Sequence, residues 1–204
     1  MLSRLHLKLD ENGYINMSEA FIDSTIIRAS RSAAGAKKSP EDEPTDHALG
    51  MSRGGFGTKI HLACDKNGVP LSAIITGGQV HDSTQVESVL KKIRIPRKGR
   101  GRPKTKSSKV AADKAYSMPR IRRHLIARAI KSVIPRKSNQ QDGRARFENA
   151  VYRNRNIIER LVGWMKESRR IGTRYEKLVI NFLGMVQLAM LKQCFRIMQS
   201  PDRT

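Results

Sequence analysis

VYRNRNIIERLVGWMK (Val151–Lys166) reads as one amphipathic helix. With Tyr152 set at zero and about 100° per residue, Arg155, Glu159 and Lys166 fall at about 300°, 340° and 320°. Ile158, Leu161, Val162 and Met165 occupy the neighbouring arc, where a core would lie. A carboxylate, two cations and a phenol therefore share one narrow stripe beside the buried side. Two readings fit the stretch taken alone. One is ordinary pairing of Glu159 with Arg155, worth about 0.2–0.5 kcal/mol. The other is a working site, and the rest of the chain has to supply its remaining parts.

The chain has 204 residues, enough for one domain with appendages. Forty Lys and Arg against 18 Asp and Glu give a formal charge of +22, which points to a polyanionic partner, most often nucleic acid. Membrane-surface binding would need an aromatic, lipid-facing helix side, and aromatics are only 5% of the chain. A structural basic protein stays open on charge alone. The two cysteines, Cys64 and Cys194, lie far apart with no metal-ligand spacing, which suits a reducing compartment and argues against zinc. There is no apolar run long enough for a membrane span and no signal-peptide pattern at the start. The expected location is the cytoplasm.

From Met1 to Ala20 the signal is weak: the leucines at 2, 5, 7 and 9 allow an edge strand or a short helix, and Asn12-Gly13 is a turn. Phe21–Ala29 reads as a buried strand with Asp23 inside it. An acid there is costly unless paired or bound to a cation. Ser30–Gly57 reads as a long loop ending in a glycine-rich turn, where Arg53 and Lys59 could meet a phosphate. Lys59–Cys64 and Leu71–Thr76 form a hairpin about Asn67-Gly68. His81 and Asp82 precede a helix capped by Asp82 or Ser83 and ending near Ile93; both are read mainly as structural. Val110–Ala112 is a short strand ending at Asp113, an acid too early to cap the helix that runs from Pro119 to about Ala129. Lys131–Pro135 is a strand and Ser138–Arg146 a polar loop. The helix of the opening stretch follows, from about Phe147 to Ser168, then a basic connection, Arg169–Lys177. Leu178–Met198 is a core-packing final helix. This order implies one α/β domain with a mixed central sheet flanked by helices.

Between these elements, Arg94–Lys109 holds eight Lys or Arg in 16 positions and no acid. Such a run contacts phosphates or stays solvated. Its Arg100-Gly101-Arg102-Pro103 resembles the core of an AT-hook, a small reader of A·T minor grooves.

Asp23, Asp113 and Glu159 thus sit on the first strand, at the end of a later strand and on a late helix. A sheet can hold the two strands side by side, with the helix packed over them. Three carboxylates so gathered repel one another as bare anions and are stable around divalent cations. Two such ions roughly 3.5–4 Å apart serve phosphodiester displacement, and Mg²⁺ suits a few carboxylates plus water and phosphate oxygens.

At these residues the chain resembles the DDE transposases of bacterial insertion sequences, in the superfamily named for insertion sequences four and five. Their signature around the glutamate, Y-x2-R-x3-E-x6-K, is matched by Tyr152, Arg155, Glu159 and Lys166 at every spacing. The first Asp matches in Phe21-Ile22-Asp23-Ser24-Thr25 and the second in Ala112-Asp113-Lys114-Ala115-Tyr116. Ser52–Lys59, Gly77–Ser83 and Arg169–Phe182 also resemble the family.

The resemblance implies an RNase H-like catalytic domain over residues 21–199, with a basic loop at 94–109 and residues 1–20 as a short remnant or linker. It implies Asp23, Asp113 and Glu159 as catalytic, metal-holding residues, with two Mg²⁺ or Mn²⁺ ions. Tyr152, Arg155 and Lys166, with Arg53, Lys59, Arg100 and Arg102, are expected to contact DNA. The implied reaction is cleavage of double-stranded DNA at terminal inverted repeats and joining to target DNA, by a homo-oligomer. Similar transposases carry a further helical region before the first Asp, whereas 22 residues precede Asp23 here. The expectation is therefore an upstream reading frame supplying end recognition, or a truncated relic. The rival readings are a nuclease or resolvase on the same fold and a catalytically silent DNA-binding regulator.

Overall fold

The computed structural model describes residues 1–35, 43–138, 140 and 147–199. Its centre is β1 (Glu19–Ala29), where Phe21, Ile22 and Ile27 are buried on alternate sides. Along one edge β1 pairs antiparallel with β3 (Gly55–Asp65), which in turn pairs with β2 (Gly50–Ser52) and β4 (Pro70–Gly77). Along its other edge β1 pairs in parallel with β5 (Lys109–Ala111) near its start and with β7 (Thr173–Arg174) near its end. β6 (Lys131–Val133) pairs in parallel with β5. The sheet is mixed and mostly antiparallel, with helices on both faces, so the expected α/β architecture is present.

Each face has its own apolar cluster because strand side chains alternate. Ala20, Ile22, Ala63 and Val110 face α1 (Leu2–Glu11), α2 (Val86–Lys92) and α3 (Pro119–Ala127). Phe21, Ile60, Leu62 and Ala111 face α5 (Asn156–Lys166), α6 (Arg169–Gly172) and α7 (Val179–Gln199). Burial of Phe182 from α7 alone contributes about 2–3 kcal/mol.

Several boundaries differ from the sequence reading. The first 20 residues hold α1, whose Leu5 and Leu9 join the core and whose His6 Nε2 meets Pro70 O at 2.8 Å. The long loop contains β2, so Ser52–Lys59 is a hairpin rather than a phosphate cradle; Arg53 and Gly54 make its turn. Residues 36–42 of that loop, and most of Ser138–Arg146, lie outside the described residues. The basic connection after Ser168 contains α6 and β7.

The opening stretch is two helices, α4 (Asn149–Arg153) and α5, joined at Asn154–Arg155. There the backbone tightens to bonds three residues apart: Arg155 N to Tyr152 O, Ile157 N to Asn154 O and Ile158 N to Arg155 O. Both side chains at the joint are drawn to β1, Asn154 Nδ2 donating to Glu19 Oε2 at 3.4 Å and Arg155 reaching Asp23. Among the described residues no helix is long and apolar enough to cross a membrane.

Candidate active site

Strand register brings the first two acids together. β1 and β5 pair as Glu19 with Lys109, Ala20 with Val110 and Phe21 with Ala111. Carried two residues further, the same offset sets Asp113 beside Asp23. A step of two keeps the side, so both acids belong to the face of Phe21 and Ala111, which α5 covers through Ile158 and Leu161. Glu159 lies on α5 next to that apolar stripe.

Arg155 links the acids. Its Nη1 donates to Asp23 Oδ2 at 3.3 Å and its Nη2 to Glu159 Oε1 at 2.5 Å. Asp23 and Arg155 are largely buried, while the Glu159 side chain is 53% exposed. The Asp23 carboxyl sits above the usual carboxylate range because it is buried; Asp113 and Glu159 push it up further, while the Ser24 N–H and Arg155 act against this. Behind the guanidinium stands the Tyr152 ring, 5.9 Å away, itself packed on Phe147 with centroids 5.5 Å apart. Pairing of Glu159 with Arg155 and membership in a site are therefore not alternatives: one cation serves an acid on the helix and an acid on the sheet.

Asp113 has a local task as well. Its Oδ1 accepts from Ala115 N at 2.9 Å, capping a 3₁₀ turn over Lys114–Tyr116 that follows β5 directly. Short turns after strands need caps as much as long helices do, and the sequence reading considered only the helix after Pro119. With Asp113 turned this way, no three His, Cys, Asp or Glu side chains among the described residues stand close enough to hold one ion.

The remaining candidates are scattered. Lys166 is exposed at the far end of α5, and Arg53 is exposed in the β2–β3 turn, at the end of the sheet toward which β1 runs. Lys59 is not available to a ligand as expected. It is 8% exposed, its Nζ donates to Val80 O at 2.7 Å and lies 2.8 Å from Asp82 Oδ1. Residue parity puts it on the opposite face of β3 from Leu62, away from Glu159. Arg100 and Arg102 are exposed in the segment leading into the start of β5, at the end of the sheet opposite Asp113.

Behind Asp23, on the other sheet face, lies a polar group that sequence reasoning mostly passed over. Ser24 is registered with His61, whose Nε2 meets Thr76 Oγ1 at 2.8 Å. For Asp82, burial raises the carboxyl, but hydrogen bonding from Lys59 and Ser24 and the charges of Lys59 and His61 outweigh it, leaving a net lowered value. The Tyr116 hydroxyl is buried and pushed up by that burial and by the charge of Asp82. The group ties the strand carrying Asp23 to the turn capped by Asp113. His81 acts as a cap here, accepting from Ser83 N through Nδ1. β3 carried a signal, since Lys59 and His61 are polar residues on one face of a strand buried on both faces.

Fold and composition define a class first: a strongly basic α/β domain that brings Asp23 and Glu159 together on one guanidinium. Residues 16–191 match the family described as Transposase DDE domain, and the chain belongs to that family. It is similar to a Burkholderia cepacia protein named as a transposase for insertion sequence element IS402, 30% identical over 161 residues, spanning 79% of this chain and 71% of that protein. It is also similar to a Brucella ovis protein named as a transposase for insertion sequence element IS6501, 32% identical over 133 residues, 65% of this chain and 93% of that protein. Among solved structures it aligns with a piggyBac transposase synaptic complex with hairpin DNA, at 16% identity and a TM-score of 0.33 over 63% of this chain and 26% of that one, a likeness too distant to carry an argument.

Proposed function

We propose that this chain is the catalytic domain of an insertion-sequence transposase that cuts DNA at terminal inverted repeats and joins the freed 3′-hydroxyl to target DNA. The observation that carries this reading is the single guanidinium of Arg155 shared by Asp23 and Glu159, with Asp113 next to Asp23 by strand register. The strand order β4-β3-β1-β5-β6, three antiparallel and then two parallel, agrees with an RNase H-like core.

The donor set suits hard divalent cations, Mg²⁺ or Mn²⁺. It is all oxygen, and two of its members, Asp23 and Glu159, already share a positive group. Asp23, Asp113 and Glu159 would hold them, and a side-chain rotation of Asp113 off Ala115 N would bring in the third acid. When bound, two such ions activate the attacking hydroxyl and neutralise the leaving oxygen. The chain's own groups do the rest. Arg155 offers a planar set of donors that pairs with phosphate as readily as with carboxylate. Tyr152 holds its plane. Lys166 and Arg53 add exposed positive charge for the DNA backbone. The partners on this reading are double-stranded DNA, further copies of the chain at the synapse and an upstream-frame product for end recognition, in the bacterial cytoplasm.

The test is incubation with linear DNA ending in the element's inverted repeats, with and without Mg²⁺ or Mn²⁺. Wild-type protein is expected to cut and join, and Glu159→Gln, which keeps the shape but loses the anion, to lose at least about 100-fold in rate, about 2.7 kcal/mol of barrier. Full activity in Glu159→Gln would sink the assignment. Cutting without joining would favour a nuclease on the same scaffold.

A further inference from the structure

A second concentration of positive charge lies away from the carboxylates. It is the loop between α2 and β5, and its construction is specific. Ile95 and Lys104 exchange two backbone hydrogen bonds of 2.9 Å, closing the intervening residues into a hairpin-like finger. Ile95 is fully buried in the core, and Lys104 Nζ lies 2.6 Å from Asp10 Oδ1 on α1, so the base of the finger is fixed from both strands. Below it, Arg128 Nη2 donates to Thr105 O and Lys106 Nζ to Arg128 O, both at 3.1 Å.

The tip is built differently. Pro96 and Pro103 hold φ in its two arms. Gly99 has φ +76, the left-handed conformation that lets the chain reverse. Arg97, Lys98, Arg100 and Arg102 are all exposed, and none makes an ion pair or hydrogen bond within the described residues. Four cations thus project from a fixed base, with glycines at 99 and 101 removing the side-chain bulk on either side of Arg100.

We infer that this finger is a second DNA-contacting site that enters the minor groove of A·T-rich duplex. It rests on the reading of the chain as a DNA enzyme. The groove is about 6 Å wide, too narrow for a helix or a two-stranded ribbon, so the Arg100–Arg102 segment of the tip would enter it and the paired base would stay outside. Narrow A·T tracts concentrate negative potential and favour arginine there. The finger leads into Lys109, and four residues at about 3.3 Å each separate that end of the strand from Asp113. The finger thus adjoins the end of β5 opposite Asp113, where it would contribute affinity and placement rather than chemistry.

The experiment is duplex binding by the full chain in EDTA, so that no cutting occurs, read by fluorescence anisotropy with A·T-tract and G·C duplexes of equal length. Wild-type protein is expected to bind the A·T duplex about tenfold more tightly. Netropsin, which fills A·T minor grooves, should abolish the difference. Arg100→Ala with Arg102→Ala should remove the preference and reduce the slope of log K against log salt by about 2. Equal binding of both duplexes by the wild type, or a preference that survives in the double variant or under netropsin, overturns the inference and leaves the proposed function standing. Preferential A·T binding with no metal-dependent cutting would do the reverse.

Discussion

At the scale of single residues, Arg155 is the group whose role changes most on folding. In the helix it is a neighbour of Glu159 four residues on. In the fold it reaches across to β1 and neutralises Asp23 as well. Replacement by Leu leaves both acids without their counter-ion, so Asp23 should lose that lowering influence and Arg155→Leu should lose phosphate affinity as well as rate. His61 makes a separate prediction. Its burial on the opposite sheet face drives the imidazole from an ordinary 6.5 down to about 4, with Asp82 opposing and Lys59 assisting. The folded group is depressed, so its contribution is complete above pH 6.5 and is lost as pH falls through about 4. Between pH 7 and 4.5 the wild type should lose about 2–3 kcal/mol more stability than His61→Gln in urea titrations. Equal losses would refute the assignment of that charge to His61.

At the scale of elements, the β1–β3 pair bears the site, and its closeness is set by a glycine. A Cβ on Gly57 would stand 2.4 Å from Ile27 O, a backbone atom that cannot step aside. Gly57→Ala should therefore cost about 1–3 kcal/mol and lower the thermal midpoint, and forcing the two strands apart should also disturb Asp23, which pairs with Leu62 further along the same ladder. At the other hairpin, Asp65 is fully buried, accepting from Asn16, Asn67 and Val69 backbone N–H groups at 2.6, 3.0 and 2.7 Å. Asp65→Ala strands these donors and should destabilise the protein by about 2 kcal/mol or more. The sequence reading saw only a turn at Asp65, because a four-residue motif does not disclose that residue 16 returns to it.

At the scale of the whole molecule, Arg174 joins parts of the chain that are remote in sequence. It is fully buried and donates to His47 O and Ala48 O on one side and to Glu176 O and Lys177 O on the other. Its guanidinium also lies 5.3 Å from the Phe182 ring. The loop before β2 is thereby fastened to β7 and α7. Arg174→Met keeps the volume but leaves four carbonyls without this donor, and a loss on the order of 3 kcal/mol is expected in equilibrium unfolding. Lysine should not rescue it, since an ammonium has three donors and no planar fork.

The alternation of apolar residues and the turn dipeptides were enough, without any fold, to place β1, β3, β4, α2, α3 and α7 near their observed bounds. The spacing Tyr152, Arg155, Glu159, Lys166 was enough to single out the family. These are local signals: side-chain period and turn chemistry act over a few residues and need no partner. What the linear chain could not decide is which groups meet across it. Lys59 looked like a cation for DNA and is buried against Asp82; α1 looked like an appendage and fills the core. The stretch Val151–Lys166 looked like one helix, and it tightens at Asn154–Arg155 because Glu19 and Asp23 draw those side chains to the sheet. Burial and long-range pairing depend on contacts between residues tens to over a hundred positions apart, and only the folded chain supplies them.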